Sequence, residues 1–244
     1  MPAEGMCKLK KTPSPARVIF FMSIRTVIFV NGTIPDPDLA RSVLTRGDYI
    51  VAADGGLNHL RRLSIQPDLV VGDLDSVSAD ERLVLENSGV EIELAQVEKD
   101  ETDLELAIRS VIKRGFKQII LAGALGNRVD HTLGNIYLLG MPGLEDVEIS
   151  LDDGMVEIFL VRNRKEIHGS AGDLVSLLPV NGVAEGVITS GLYYPLNGET
   201  LLTFYTRGIS NLMTGNCAAV SLTSGLVLCI HTRNFDGMEG DHGE

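Results

Sequence analysis

Between Thr26 and about Ser150, short apolar runs alternate with stretches that repeat every three to four residues. "TVIFVNG", "YIVAADGG", "DLVVGD", "VEIELA" and "QIILAGA" predict strands. Between them, "PDLARSVLTRG", "LNHLRRLSI", "SADERLVLENSG", "TDLELAIRSVIKRG" and "HTLGNIYLLG" predict helices, the first stopped by Gly47. Ser78 and Glu81 form a capping-box pattern on the third helix, which Gly89 ends. In the fourth, Leu104, Ala107, Ile108, Val111 and Ile112 share one face. Strands spaced by helices imply βαβ units and a mostly parallel, Rossmann-like sheet. After Ser150 the helical period disappears. "VEISLDDGMVEIFLV" predicts a hairpin turning at Asp153–Gly154. "DLVSLLPV", "GVITSG", "TLLTFYTRG", "AAVSLTS" and "LVLCIHT" follow, punctuated by Gly, Asn and Pro. They predict a small antiparallel β-sandwich or barrel. The expected organisation is an extension over 1–25, an α/β domain over 26–165, a β-sandwich domain over 166–233 and a disordered tail over 234–244.

Composition narrows the classes of function. The 244 residues are 44% hydrophobic and 22% charged, as in an ordinary globular protein. A formal net charge of -12, with no basic stripe outside Lys8, Lys10, Lys11 and Arg17, argues against nucleic acid as a partner. "VIFF" is too short to span a membrane, and Arg25 interrupts the run, so a signal peptide fits poorly. Translation starting at Met22 is an alternative origin for the first 21 residues. Cys7, Cys217 and Cys229 lack metal spacing, which points to a reducing compartment such as the cytoplasm.

The chemistry gathers where the predicted strands end. Asp54 follows "YIVAA", Asp73 and Asp75 follow "LVV", Asp100 and Asp103 follow "VEIELA", and Arg128 and Asp130 follow "IILAGA". In a parallel sheet these ends share one edge, the edge at which open α/β sheets bind ligands. Carboxylates from several loops repel one another unless a cation sits among them. Without Cys or paired His, that cation is hard and oxygen-seeking, and Mg²⁺ bound to phosphate oxygens fits. Gly55, Gly56, Gly72, Gly123 and Gly126 allow close backbone approach to phosphates, and Arg128 offers a fork of donors. Plainer roles stand beside these: Asp54 as a turn residue, Thr102 as a helix cap paired with Glu105, Asp103 as a dipole partner, His131 as a structural hydrogen-bonder, and Asp130 as a partner of Arg128. Neither a G-x-x-x-x-G-K-[ST] loop nor a G-x-G-x-x-G after the first strand is present.

"ADGG" (53–56), "GDLDS" (72–76), "KDETDLELA" (99–107) and "GALGNRVDHTLGN" (123–135), in this order, resemble the thiamine pyrophosphokinase family. "GISN" (208–211) and the G-x-x-Y-P-L of 191–196 resemble its C-terminal domain. The likeness runs from about Thr26 to His231. It departs at Asn127, where the family often has Gly, and in the lack of any Trp, which some eukaryotic members stack on thiamine. The resemblance implies diphosphate transfer from ATP to the thiamine hydroxyl, with Asp73, Asp75 and Asp100 holding Mg²⁺ and phosphate. It places Asp54, Gly55, Thr102, Asp103, Arg128, Asp130, His131 and Asn135 at the nucleotide, and Ser210 and Asn211 at thiamine. It also implies a homodimer whose sites are shared between chains. A related pterin diphosphokinase and a non-catalytic Mg-nucleotide module are the rival readings.

Overall fold

The computed structural model describes residues 25–233, apart from 35, 75–76, 78, 96–99 and 127. The expected N-terminal extension and acidic tail, and Ser78 of the expected capping box, therefore lie outside the described residues.

The first half alternates as the apolar pattern requires: β1 (Arg25–Phe29), α1 (Pro37–Ser42), β2 (Tyr49–Ala53), α2 (Gly56–Leu63), β3 (Leu69–Gly72), α3 (Ala79–Asn87), β4 (Glu91–Leu94), α4 (Asp103–Lys113), β5 (Gln118–Ala122), α5 (Val129–Leu138) and β6 (Glu148–Asp152). These six strands pair in parallel in the order β6-β5-β1-β2-β3-β4. The continuous apolar runs of β1 to β3 reflect burial on both faces. On one face Ile28, Val51, Leu69 and Leu121 pack with Leu104, Ala107, Ile108 and Val111 of α4. On the other, Val27, Phe29, Ile50 and Val70 pack with Leu57, Leu60 and Leu63 of α2.

One predicted helix is shorter than its pattern. α1 stops at Ser42 rather than near Gly47. Asp48 explains this: its carboxylate accepts from the Thr45 backbone N–H at 2.7 Å and from Thr45 Oγ1 at 2.8 Å, closing a turn that competes with further helix.

The second half is all strand: β7 (Val156–Val161), β8 (Arg164–His168), β9 (Leu174–Pro179), β10 (Ala184–Ser190), β11 (Asn197–Leu201), β12 (Asn211–Leu212), β13 (Cys217–Ser221) and β14 (Val227–Thr232). The predicted hairpin forms, pairing Asp152 with Glu157 across a turn in which Gly154 has φ 90°. The strand expected at "TLLTFYTRG" ends at Leu201, and β8 and β12 carried too little pattern to be predicted. β7, β14, β9 and β12 extend the parallel strands antiparallel, giving one ten-stranded sheet, β12-β9-β14-β7-β6-β5-β1-β2-β3-β4. A four-stranded sheet, β11-β10-β13-β8, packs on this added half through Val161, Ile167, Val175, Leu177, Val187 and Val220. The antiparallel sandwich is thus real, but one of its two sheets is continuous with the parallel strands. Hydrogen bonding crosses the expected boundary near Lys165 without a break.

Candidate active site

At the C-terminal edge of the parallel strands, the loops after β1 and β5 are knitted together. Gly32 N–H donates to Gly123 O at 2.7 Å, and Thr33 N–H to Leu125 O at 2.6 Å. Only glycine fits position 32, because a Cβ there would lie 2.2 Å from Leu125 O and 2.3 Å from Gly123 O. His59 Nε2 donates to Gly32 O at 2.9 Å, and burial lowers its pKa, which keeps the ring neutral. The strand order reverses here, since β1 has β5 on one side and β2 on the other. Such a switch point opens a crevice for a ligand. Asn31, Gly32, Thr33 and His59 were missed from sequence, although "NG" directly after the first strand was a visible signal.

Next along the edge come the acids. Asp54 follows β2 with φ 45°, and its N–H donates to Val71 O at 2.9 Å. Gly55 lies against Asn31, whose side chain is 2.3–2.5 Å from where a Cβ would stand. Asp73, half-buried, follows β3, and Leu74 beside it has φ 55°. Left-handed backbone at two non-glycine residues costs about 1–3 kcal/mol each and is typical of functional sites. Ala95 N–H donates to Gly72 O at 2.9 Å, drawing the chain after β4 alongside; Asp100, further along the chain, is exposed. The structure thus places Asp54 and Asp73 directly after two adjacent parallel strands, β2 and β3, with Asp100 further along the chain after β4. Asp75 lies outside the described residues. Among the described residues no three acidic, imidazole or thiol groups are gathered closely enough to hold one ion. The donors on this edge are carboxylates, a set suited to a hard cation.

Other predicted residues have defined structural duties. Thr102 is the N-cap of α4, its Oγ1 accepting from Glu105 N–H at 3.2 Å, and Asp103 begins that helix. Arg128 is the N-cap residue of α5 and grips Asp130 at 2.5 Å. The hydrogen bond from Arg128 holds the Asp130 carboxyl down at about 2. His131 is exposed in the first turn of α5. Asn135 Nδ2 donates to Ala124 O at 2.7 Å, and Thr132 Oγ1 meets both the N–H and the carbonyl of Gly126 at 3.2 Å, so α5 shapes the glycine loop that precedes it.

At the opposite edge, β12 brings the two C-terminal motifs together. Asn211 Oδ1 accepts from Tyr194 N–H at 3.0 Å, and its Nδ2 donates to Tyr194 O at 2.7 Å. Ser210 has φ 61°, and its N–H donates to Ser176 Oγ at 3.1 Å. A cavity of 170 Å³ opens beside them, lined by Leu177, Tyr194, Pro195, Arg207, Ile209 and Asn211. Tyr193 and Tyr194 stand exposed, edge to face with ring centroids 4.8 Å apart. Tyr194 and Arg207 were not singled out from sequence, though the first lies within the G-x-x-Y-P-L segment. Asn211 and Asp73 stand on β12 and after β3, eight strand positions apart in one sheet. At roughly 4.8 Å per step that is about 38 Å, too far for one small substrate to touch both.

Both halves of the chain match known proteins. Residues 40–151 match the sequence model described as thiamin pyrophosphokinase, catalytic domain. Residues 161–227 match that described as thiamin pyrophosphokinase, vitamin B1 binding domain. Thiamine pyrophosphokinase of Bacillus subtilis is 28% identical over 184 residues, covering 75% of this chain and 86% of its own. Thiamine pyrophosphokinase 1 of Oryza sativa is 25% identical, covering 81% and 84%. A crystal structure of the Bacillus subtilis protein superposes with a TM-score of 0.77 at 25% identity, covering 86% of this chain and all of that one. The Candida albicans structure, at 20% identity and a TM-score of 0.69, shares the fold over 85% and 88%. With both halves matched in sequence, the chain belongs to the thiamin pyrophosphokinase family.

Proposed function

We propose that this protein transfers diphosphate from ATP to the hydroxyl of thiamine, giving thiamine diphosphate and AMP. The observation that carries this reading is the pairing of an acid edge at a sheet switch point with a separate Asn211–Tyr194 cavity, on a chain whose two halves match the two family domains. The thiamine oxygen attacks the β-phosphorus, the bond from that phosphorus to the α–β bridging oxygen breaks, and AMP departs. The hydroxyl proton passes to Asp73 or Asp100. Such transfer needs positioning and charge neutralisation rather than a covalent protein intermediate. Mg²⁺, held by Asp73, Asp75 and Asp100, would supply that neutralisation. Gly55, the glycine loop before α5, and Thr102 and Asp103 line the nucleotide side, with Asp54, Arg128, Asp130, His131 and Asn135. Ser210 and Asn211 hold thiamine.

The 38 Å estimate supports a homodimer in which the acid edge of one chain faces the Asn211 cavity of the other. Tyr194, which lines that cavity, and Tyr193, Phe204 and Tyr205 are exposed and offer apolar surface for such a contact. Among the described residues no helix is long and apolar enough to cross a membrane, and Cys217 and Cys229 are free, which supports work in the cytoplasm. The test is product identification after incubating the purified protein with ATP, Mg²⁺ and thiamine. Thiamine diphosphate and AMP in equal amounts are expected. Transfer to a pterin alcohol but not to thiamine would favour the diphosphokinase rival, and nucleotide binding without AMP the non-catalytic one.

A further inference from the structure

His231, on β14, is fully buried and lies outside every motif used above. Its Nε2 is 2.9 Å from Asp173 Oδ2. Among the described residues its Nδ1 has no hydrogen-bond partner, and it faces Glu157 Oε2 at 3.7 Å. The charges around the ring come from every strand beside it. Glu157 stands on β7, Asp173 in the turn before β9, and Arg233 just past β14; Arg233 grips Asp152 of β6 at 2.7 and 2.9 Å and Glu157 at 3.3 Å. Lys165 of β8 acts on Glu157 from further away, and Cys229 shares the strand.

Asp173 ties this buried ring to the thiamine edge. Its Oδ2 also accepts from Ser170 N–H at 2.9 Å, and its backbone carbonyl accepts from Met213 N–H at 2.8 Å. Gly172 N–H donates to Met213 O at 2.9 Å. Met213 directly follows β12, the two-residue strand that begins at Asn211 and holds β9 only through Asn211↔Val175 and Leu212↔Leu174. So short a strand needs external support. Gly169 leaves room for the arrangement, since a Cβ there would come within 2.3 Å of Asp173 Oδ2 and 2.8 Å of His231 Nε2.

We propose that His231, clasped between Asp173 and Glu157, is a positioning residue for thiamine, fixing the turn that anchors the strand beginning at Asn211, with Ser210 just before it. This rests on the assignment of Ser210 and Asn211 to thiamine. The clasp depends on proton count. With one proton, on Nε2, the ring presents a bare Nδ1 lone pair to the Glu157 carboxylate. With two, it bridges both acids. Burial pushes the imidazole's pKa down, but Glu157 and Asp173 outweigh burial and Arg233 and hold it above 6.5. A raised folded-state pKa means that the clasp's contribution is complete below pH 6.5 and is lost as pH rises through the raised value.

Three full-length proteins test this: wild type, His231→Gln, which keeps a neutral donor toward Asp173 but cannot charge, and Ser210→Ala. Hydrogen exchange is followed at the Gly172 and Met213 amides, and KM for thiamine and for ATP is measured from pH 6 to 8.5. In the wild type, exchange corrected for intrinsic rate should quicken with pH and KM for thiamine rise at least about threefold, since losing one linked proton changes an equilibrium by up to about tenfold per pH unit. KM for ATP should lack that rise, and His231→Gln should lack both pH trends. Equal pH trends in wild type and His231→Gln, in exchange or in thiamine KM, would overturn the proposal. If KM for thiamine is flat in both while Ser210→Ala raises it, the thiamine assignment stands and the positioning role fails. If Ser210→Ala also leaves it unchanged, the fault lies with the assignment on which the proposal was built, and the proposal falls with it.

Discussion

Asp100 and Asp73 differ in how much of the fold depends on them. Asp100 is exposed in a loop, whereas Asp73 is half-buried beside the left-handed Leu74. Replacing either by Asn keeps the shape and removes a negative charge from an edge where carboxylates repel. Turnover is expected to fall at least about 100-fold for each, the lower bound for losing a proton acceptor or a charge-stabilising group. Asp100→Asn should unfold at the wild-type temperature or slightly above it without Mg²⁺. A fully active Asp100→Asn enzyme would refute the metal and phosphate assignment. Arg128 and Asp130, fully exposed, grip each other. Water and salt screen such a pair, so it contributes little to folding, and Arg128 can exchange Asp130 for a phosphate oxygen at little cost.

Elements explain how much could be read beforehand. Gly32→Ala forces a methyl against two carbonyls of the loop after β5. It should cost about 1–3 kcal/mol and raise KM for ATP, because the loops forming the crevice must part. Gly134→Ala is the control: among the described residues nothing lies within 4 Å of its Cβ position on exposed α5, and alanine there should add about 0.5–1 kcal/mol. Thermal unfolding and initial rates check both; equal effects would contradict the packing argument. The parallel strands were legible because burial on both faces writes unbroken runs such as "TVIFV" and "DLVV". Their C-terminal ends followed, and with them the places of Asp54 and Asp73 directly after β2 and β3; the roles given to these acids belong to the proposal. β12 was not legible: two residues carry no period, and long-range pairing to β9 makes them a strand. Thr102, expected either as a helix cap or at the nucleotide, caps α4, and its place at the nucleotide belongs to the proposal. The pairing of Asn211 with Tyr194 joins segments 17 residues apart through a side-chain amide, which no hydrophobic pattern records.

For the whole molecule, the decisive quantity is the separation of the two edges. If active sites form only between chains, two inactive variants complement each other. Asp100→Asn damages the acid edge, and Ser210→Arg blocks the thiamine edge. A mixed dimer then holds one site with both defects and one with neither. Equal mixing by subunit exchange yields mixed dimers as half the population, each with one of two sites intact, so about a quarter of wild-type activity is expected. Exchange confirmed by mass, without recovered activity, would mean that each chain builds its own site. The net charge of -12 gives two such chains no long-range attraction, so a contact of the proposed kind would depend on apolar and aromatic surface and should tolerate salt.

The uninterrupted ten-stranded sheet also limits how the enzyme can close on its substrates. Many nucleotide-transferring enzymes exclude water by swinging one domain about a hinge in the connecting chain. Here the connection is itself hydrogen-bonded sheet, with β6 and β7 paired from Ser150↔Phe159 to Asp152↔Glu157. A beam of this kind has no joint. Closure therefore falls to the loops along the acid edge and, in the proposed dimer, to the gliding of one chain against the other, so that substrate capture there would become an event of quaternary structure.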